Sequence, residues 1–161
     1  MAANGLWDDE HARLQHNVAW CELNLHHTAV ASALIQEIRK NRPGYSPEAI
    51  SGLLSFARED SKRRGEWSAI SSTLSQAKKA FDDKAWLIAA SLYSEAASKC
   101  MQSGDYPDVA GECLYNKAMA YFNTHEYEKA KTTLITIQMT YPSYDSTLVQ
   151  DQIDKINRIL Q

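Results

Sequence analysis

Alanine recurs in pairs twelve residues apart: Ala19 with Ala31, Ala77 with Ala89, and Ala118 with Ala130. Where two antiparallel helices of a hairpin cross closely, each presents a small side chain at the crossing, and larger ones fill the space on either side. The pairs therefore point to helical hairpins. Composition agrees: the chain of 161 residues carries 21 Ala and 14 Leu against 4 Val, with only 6 Gly and 4 Pro, roughly half the usual Gly and Pro share. Strands favour β-branched residues, and tight strand-to-strand turns need glycine. The expected fold class is all-α. A chain of this length buries roughly 70% of its unfolded surface as one domain, enough to fold without a disulfide or a metal.

Punctuation divides the sequence further. Asn41 to Glu48 holds Pro43 and Gly44, which stop one helix, and Ser46 with Pro47, which start the next. Asp82-Asp83, the stretch from Ser103 to Asp108, and the stretch from Tyr141 to Ser146 mark other breaks. Between them apolar residues recur at helical spacing, as in Leu14, Val18, Cys21 and Leu25, and again in Ile50, Leu53 or Leu54, and Ala57. Seven to eight helices are expected, over about 8–24, 28–41, 47–63, 66–81, 85–102, 108–123, 127–141 and 146–160, with His26-His27 a weak break between the first two. The last segment places Leu148, Ile153, Ile156, Ile159 and Leu160 among Gln, Asp, Lys and Arg. It reads as a solvating cap on the hairpin before it.

Seventeen basic and twenty acidic side chains give a net charge of −3, with a pI near 5.9. No global field attracts a polyanion, so neither nucleic-acid binding nor a membrane-surface role is expected. Lys62-Arg63-Arg64 is read as cations at a helix C-terminus. Cys21, Cys100 and Cys113 are odd in number and set among apolar helical positions, which suits buried thiols in a reducing compartment; a cytoplasmic location is expected. The first residues lack a basic and an apolar signal region, and no apolar stretch approaches the roughly 20 residues of a membrane span. The six glycines form neither GxGxxG nor GxxxxGK, and no GxSxG elbow occurs, so a nucleotide cofactor and catalysis are not expected. A metal-binding helical bundle is an alternative: His26 and Glu22 stand four apart, with Cys21 and His16 near in sequence. It lacks the Glu-x-x-His and His-Glu-x-x-His spacings of known helical metal sites. Tyr93, Tyr115, Tyr121, Tyr127, Trp67 and Trp86 lie at helical spacing among apolar neighbours and read as core.

The chain also matches itself. Leu25 to Tyr45 aligns with Thr124 to Tyr144, so that His26 falls on His125, Ala31 on Ala130, Pro43 on Pro142 and Tyr45 on Tyr144. Ala118, Tyr121, Ala130, Leu134, Ile137 and Pro142, with Tyr-Phe-Asn-Thr-His-Glu-Tyr-Glu-Lys-Ala across the turn, resemble the signature of the tetratricopeptide repeat. The resemblance is good over 111–144. It is looser over 12–45, where Glu22 stands in place of an aromatic, and over 70–103, where Gly104 and Asp105 extend the unit and no proline closes it. It implies a single helical-repeat domain over 1–161, with antiparallel hairpins stacked as an α-α superhelix. The segment 47–63 is then an extra helix and 146–160 a capping helix; otherwise 47–81 is itself a hairpin.

For function, the resemblance implies a non-catalytic scaffold or adaptor whose first helices line a concave groove for a protein partner, either a peptide or a partner helix. Carried onto this sequence, the lining positions are His16, Trp20 and Asn24 in the first repeat, Lys78 and Asp82 in the second, and Tyr115, Asn116, Met119 and Asn123 in the third. Members that grip a C-terminal carboxylate use Lys and Asn. Here His16 and Trp20 occupy the first-repeat clamp positions. Two other readings keep the fold: an assembly subunit, forming a homo-oligomer or docking into a larger complex through Leu6, Trp7 and the outer helix faces, and a small secretion-type chaperone.

Overall fold

In the computed structural model, which describes residues 9–161, every regular element among the described residues is an α-helix. They are α1 (Asp9–Asn24), α2 (Thr28–Asn41), α3 (Pro47–Asp82), α4 (Trp86–Ser103), α5 (Pro107–Asn123), α6 (Tyr127–Thr140) and α7 (Ser146–Leu160). The chain divides into two units, one ending at Gly65 and the other Glu66–Gln161. Leu6 and Trp7 lie outside the described residues.

One turn, used three times, explains the alanine spacing. His26, Lys84 and His125 each stand seven residues after the first alanine of a pair, and each adopts a left-handed backbone, with φ of 63°, 60° and 61°. The N–H of each donates to the carbonyl three residues back: to Leu23, Phe81 and Phe122, at 3.0 Å in every case. The next N–H reaches five residues back, from His27 to Glu22, Ala85 to Ala80 and Glu126 to Tyr121, at 2.8 to 2.9 Å. This is the Schellman arrangement, which satisfies the last carbonyls of one helix. The residue after the left-handed one then serves as N-cap of the following helix. Its carbonyl accepts the first helical hydrogen bond, from Ala31, Ala89 and Ala130 respectively. Twelve residues is therefore the path from crossing point to crossing point through a fixed turn, and all six alanines are fully buried.

In the first unit α1 and α2 pair, and their core of Ala12, Ala19, Leu23, Ala31, Ile35 and Ile38 is completed by Ile50, Leu53 and Ala57 from the start of α3. In the second unit the end of α3 contributes Ala77 to a cluster with Ala89, Ala90, Tyr93, Ala96 and Ala97 of α4 and Cys113 and Ala120 of α5. The α5–α6 hairpin is then closed by Val149, Ile153 and Ile156 of α7. Ile50 and Ala57 stand 99 residues before Val149 and Ile156. The start of α3 thus does for the first hairpin what α7 does for the last.

Four expectations are corrected. The segments 47–63 and 66–81 are one helix of 36 residues, so 47–81 is not a hairpin. Gly65 alone, exposed and with open space around it, lowers propensity by about 1 kcal/mol and does not force a turn. Lys62-Arg63-Arg64 consequently lies in mid-helix. Leu14, Val18, Cys21 and Leu25 are exposed; α1 turns its alanines and Leu23 to the core instead, because the small side chains permit the close crossing. Trp67 is also largely exposed, tilted over Tyr106 at 5.2 Å. Cys100 and Cys113 are buried, as expected.

The middle of α3 grips the first turn. Asp60 is buried, and its carboxylate meets His26 Nδ1 at 3.0 Å, accepts from Thr28 Oγ1 at 3.1 Å and accepts from Arg64 Nε and Nη2 at 3.0 and 2.7 Å. Arg64 Nη2 also donates to the His26 carbonyl, at the left-handed residue itself. The Arg64 hydrogen bonds, joined by those from His26 and Thr28 and opposed by desolvation, hold the Asp60 carboxyl below its usual pKa.

Two outcomes follow from this packing. A folded-state pKa below the unfolded one means that Asp60 stabilises the fold above the ordinary carboxylate range, near pH 4, and that this stability disappears as pH falls through the lowered value. Asp60→Asn should cost about 2 kcal/mol at pH 7 and flatten the acid limb of denaturant-derived stability below pH 4; an unchanged acid limb would remove Asp60 as its source. The glycines should divide by sign. Gly65→Ala should add about 0.5–1 kcal/mol. Gly111→Ala should lose about 1–2 kcal/mol by thermal melting, because its Cβ would lie 2.8 Å from Tyr144 Cγ.

Candidate partner-binding surfaces

The lining positions expected from the resemblance fall into both units. In the first unit His16, Trp20 and Asn24 form one stripe along α1, four residues apart. His16 is half-buried, its ring 6.1 Å from Tyr45 in edge-to-face contact, and its Nδ1 is shielded from solvent with no hydrogen-bond partner. Trp20 is 46% exposed and tilted against Phe56 of α3 at 5.2 Å. Asn24 spends its amide on its own helix, donating to the Trp20 carbonyl at 2.8 Å. The start of α3 and the loop before it therefore supply part of what this stripe touches, and the indole's remaining face is what it offers to solvent.

In the second unit α5 carries the other stripe. Tyr115 and Met119 are half-buried against the cluster formed by α6 and α7, with the Tyr115 ring 6.3 Å from Tyr144. Tyr115 and Tyr144 repeat, 99 residues on, the His16–Tyr45 contact of the first unit. Burial raises the pKa of both hydroxyls, and that of Tyr144 is pushed up to about 12, with Glu112 and Tyr115 adding to the effect. Asn116 is half-buried and Asn123 exposed, and neither makes a side-chain hydrogen bond among the described residues. Their amides are thus available to a peptide backbone, which needs both a donor and an acceptor. Lys78 and Asp82 are exposed one turn apart at the end of α3, while their neighbours Lys79 and Asp83 pair at 2.7 Å.

Sequence reasoning missed a third feature. Lys117 of α5 is half-buried, which lowers its pKa. Its Nζ donates to Ser94 Oγ at 3.1 Å and lies 6.0 Å from the Tyr121 ring, which Lys129 also approaches at 5.6 Å. Lys117 follows Asn116 directly, but nothing in the helical spacing separates a lysine drawn into a small cavity from one in solvent. The metal alternative finds no assembled ligand set: Glu22 takes His27 at 2.8 Å, His26 turns to Asp60, and no group of three or more His, Cys, Asp or Glu among the described residues could hold an ion. No helix among these residues is long and apolar enough to cross a membrane.

No family model, curated protein or solved structure matches the chain.

Proposed function

We propose that the chain is a non-catalytic protein-interaction module of tetratricopeptide type, an adaptor or scaffold that holds a peptide or partner helix. The observation that carries this reading is the recurrence of one turn between three buried alanine pairs. That geometry sets the first helix of each hairpin at a common register and leaves side chains of recognisable binding chemistry on it. On α5 the unpartnered amides of Asn116 and Asn123 flank Met119; on α1 the exposed indole of Trp20 supplies contact area at low entropic cost. Its buried free thiols, Cys100 and Cys113, fit a reducing compartment and hence the cytoplasm.

A specific observation favours a second reading, an assembly subunit. Leu14 and Val18 of α1 and Leu25 in the turn after it are 55%, 46% and 61% exposed, an apolar stripe of the kind that self-associates or docks into a complex.

Capture from lysate with three folded proteins separates the two. Asn116→Ala/Asn123→Ala, whose side chains support nothing internal, should lose a captured partner by at least about tenfold in affinity, and Trp20→Ala should weaken a partner held by the first unit. Leu14→Glu/Val18→Glu should leave that binding intact under the adaptor reading. If instead the glutamate variant alone loses the partner, or alone stays at monomer mass in light scattering where the other proteins grow with concentration, the assembly reading replaces it.

A further inference from the structure

The first unit contains a cavity of about 500 Å³ that the adaptor reading does not use. It lies between the end of α2, the loop after it and the start of α3. Arg39, Arg42 and Arg58 line it, with the hydroxyls of Tyr45, Ser51 and Ser55, and no acidic residue does. Leu54, Pro43 and Pro47 provide its accessible apolar wall, with the core residues Ile38 and Ile50 behind it. The volume falls in the range of pockets that hold small molecules.

Charge makes the site unusual for this chain. Residues 39–64 hold seven of the seventeen basic side chains and three of the twenty acidic ones, although the whole carries a net −3. Some cations outside the cavity find carboxylates, as Arg64 does at Asp60, Lys79 at Asp83 and Lys129 at Glu126, and other exposed lysines among the described residues do not. What sets the cavity apart is that three arginines line one space with no carboxylate among its lining. Of the three only Arg42 meets a carboxylate, that of exposed Asp9. Arg39 and Arg58 make no ion pair among the described residues. Like charges lining one space repel each other until an anion enters. A monocarboxylate occupies one guanidinium fork; a dianion with three equivalent oxygens can engage two, and hydroxyls can donate to the third oxygen. The start of α3, with its N-terminal dipole, borders the same space at Pro47.

From this arrangement we infer that the cavity binds a phosphate monoester dianion whose organic part is apolar, with Arg39 and Arg58 as its principal ligands and the wall of Leu54, Pro43 and Pro47 taking the organic group. The inference goes beyond the adaptor reading and shares no residue with it. The phosphate could be carried by a small molecule or by a phosphorylated side chain. Phenyl phosphate models both, and a phosphotyrosine peptide set against its free amino acid tells the two sources apart.

The test is an amide-resolved titration of the full chain at low salt. Phenyl phosphate should shift the backbone signals of Arg39, Ser51, Leu54 and Ser55 with a Kd of about 1 mM or below. Inorganic phosphate should bind about tenfold more weakly for lack of the apolar group, and benzoate more weakly than phenyl phosphate for lack of the second charge. Arg39→Gln/Arg58→Gln, at two exposed positions, should keep the far-UV spectrum and weaken phenyl phosphate at least about tenfold; Arg58→Gln alone provides a second, milder variant. No shift at about 10 mM phenyl phosphate, or equal affinity in the double variant, would overturn the site. Equal binding of benzoate would overturn the dianion, and equal binding of inorganic phosphate would overturn the role of the apolar wall. Failure of the capture experiment on α5 would leave these outcomes unaffected.

Discussion

The close crossing of two helices at paired alanines is the constraint on which the rest of this protein depends. A hairpin that brings backbones together at Ala19 and Ala31, or at Ala118 and Ala130, has no room for a longer connection, so the turn must reverse direction in the few residues available. A left-handed residue does that, and L-amino acids resist it by about 1–2 kcal/mol. Here the position is filled by His26, Lys84 and His125 instead of glycine. The surrounding hydrogen bonds, which satisfy carbonyls at one helix end and begin the next helix with no loose residue between, offset the cost three times over. Leu23, Ile35, Leu134 and Ile137 can be fully buried because that geometry is fixed first.

Much of this was legible in the sequence because a repeated geometry leaves a repeated spacing. Alanines twelve apart identified the hairpins, and Pro43 and Pro142 identified the exits from the first and last. What could not be read was which of two apolar stripes on α1 faces inward. Leu14, Val18 and Leu25 look like a core stripe by hydrophobicity, whereas Ala12, Ala19 and Leu23 are the core by shape. Periodicity counts apolar residues and is blind to the advantage of small ones at a crossing. The joined helix α3 escaped for a related reason: a glycine and a run of cations have the appearance of a helix end, yet Arg64 is tied to Asp60 one turn back and an exposed glycine with open space around it tolerates the helix.

The candidate surfaces were legible to a lesser degree. Helical spacing places Asn116, Met119 and Asn123 on one face of α5, and that much follows from the sequence. Whether an amide on that face is spent or free depends on neighbours no spacing reveals: Asn24 is consumed by its own helix, while Asn116 and Asn123 are not. The arginines at 39, 42 and 58 belong to two helices and a loop, so their convergence has no one-dimensional signature at all. Electrostatic sites assembled across elements are where sequence reading of a helical protein is weakest. The same elements that bury apolar residues at regular intervals bring charges together at irregular ones.

The position of Asp60 and Arg64 near the end of the first unit bears on the order in which the chain takes shape. Every contact of that unit's core, from Ala12 to Ala57, and the clasp on the turn at His26, comes from residues synthesised before Gly65. Nothing later in the sequence is needed to supply them. The contacts are short in sequence, none of those described here spanning much more than 40 residues, and helical contacts of that kind form quickly compared with synthesis at about 5–20 residues per second. A nascent chain that has cleared the ribosome to this point already holds the means to shield its first apolar residues. The aspartate and arginine, arriving last, close a structure whose other parts have had time to meet.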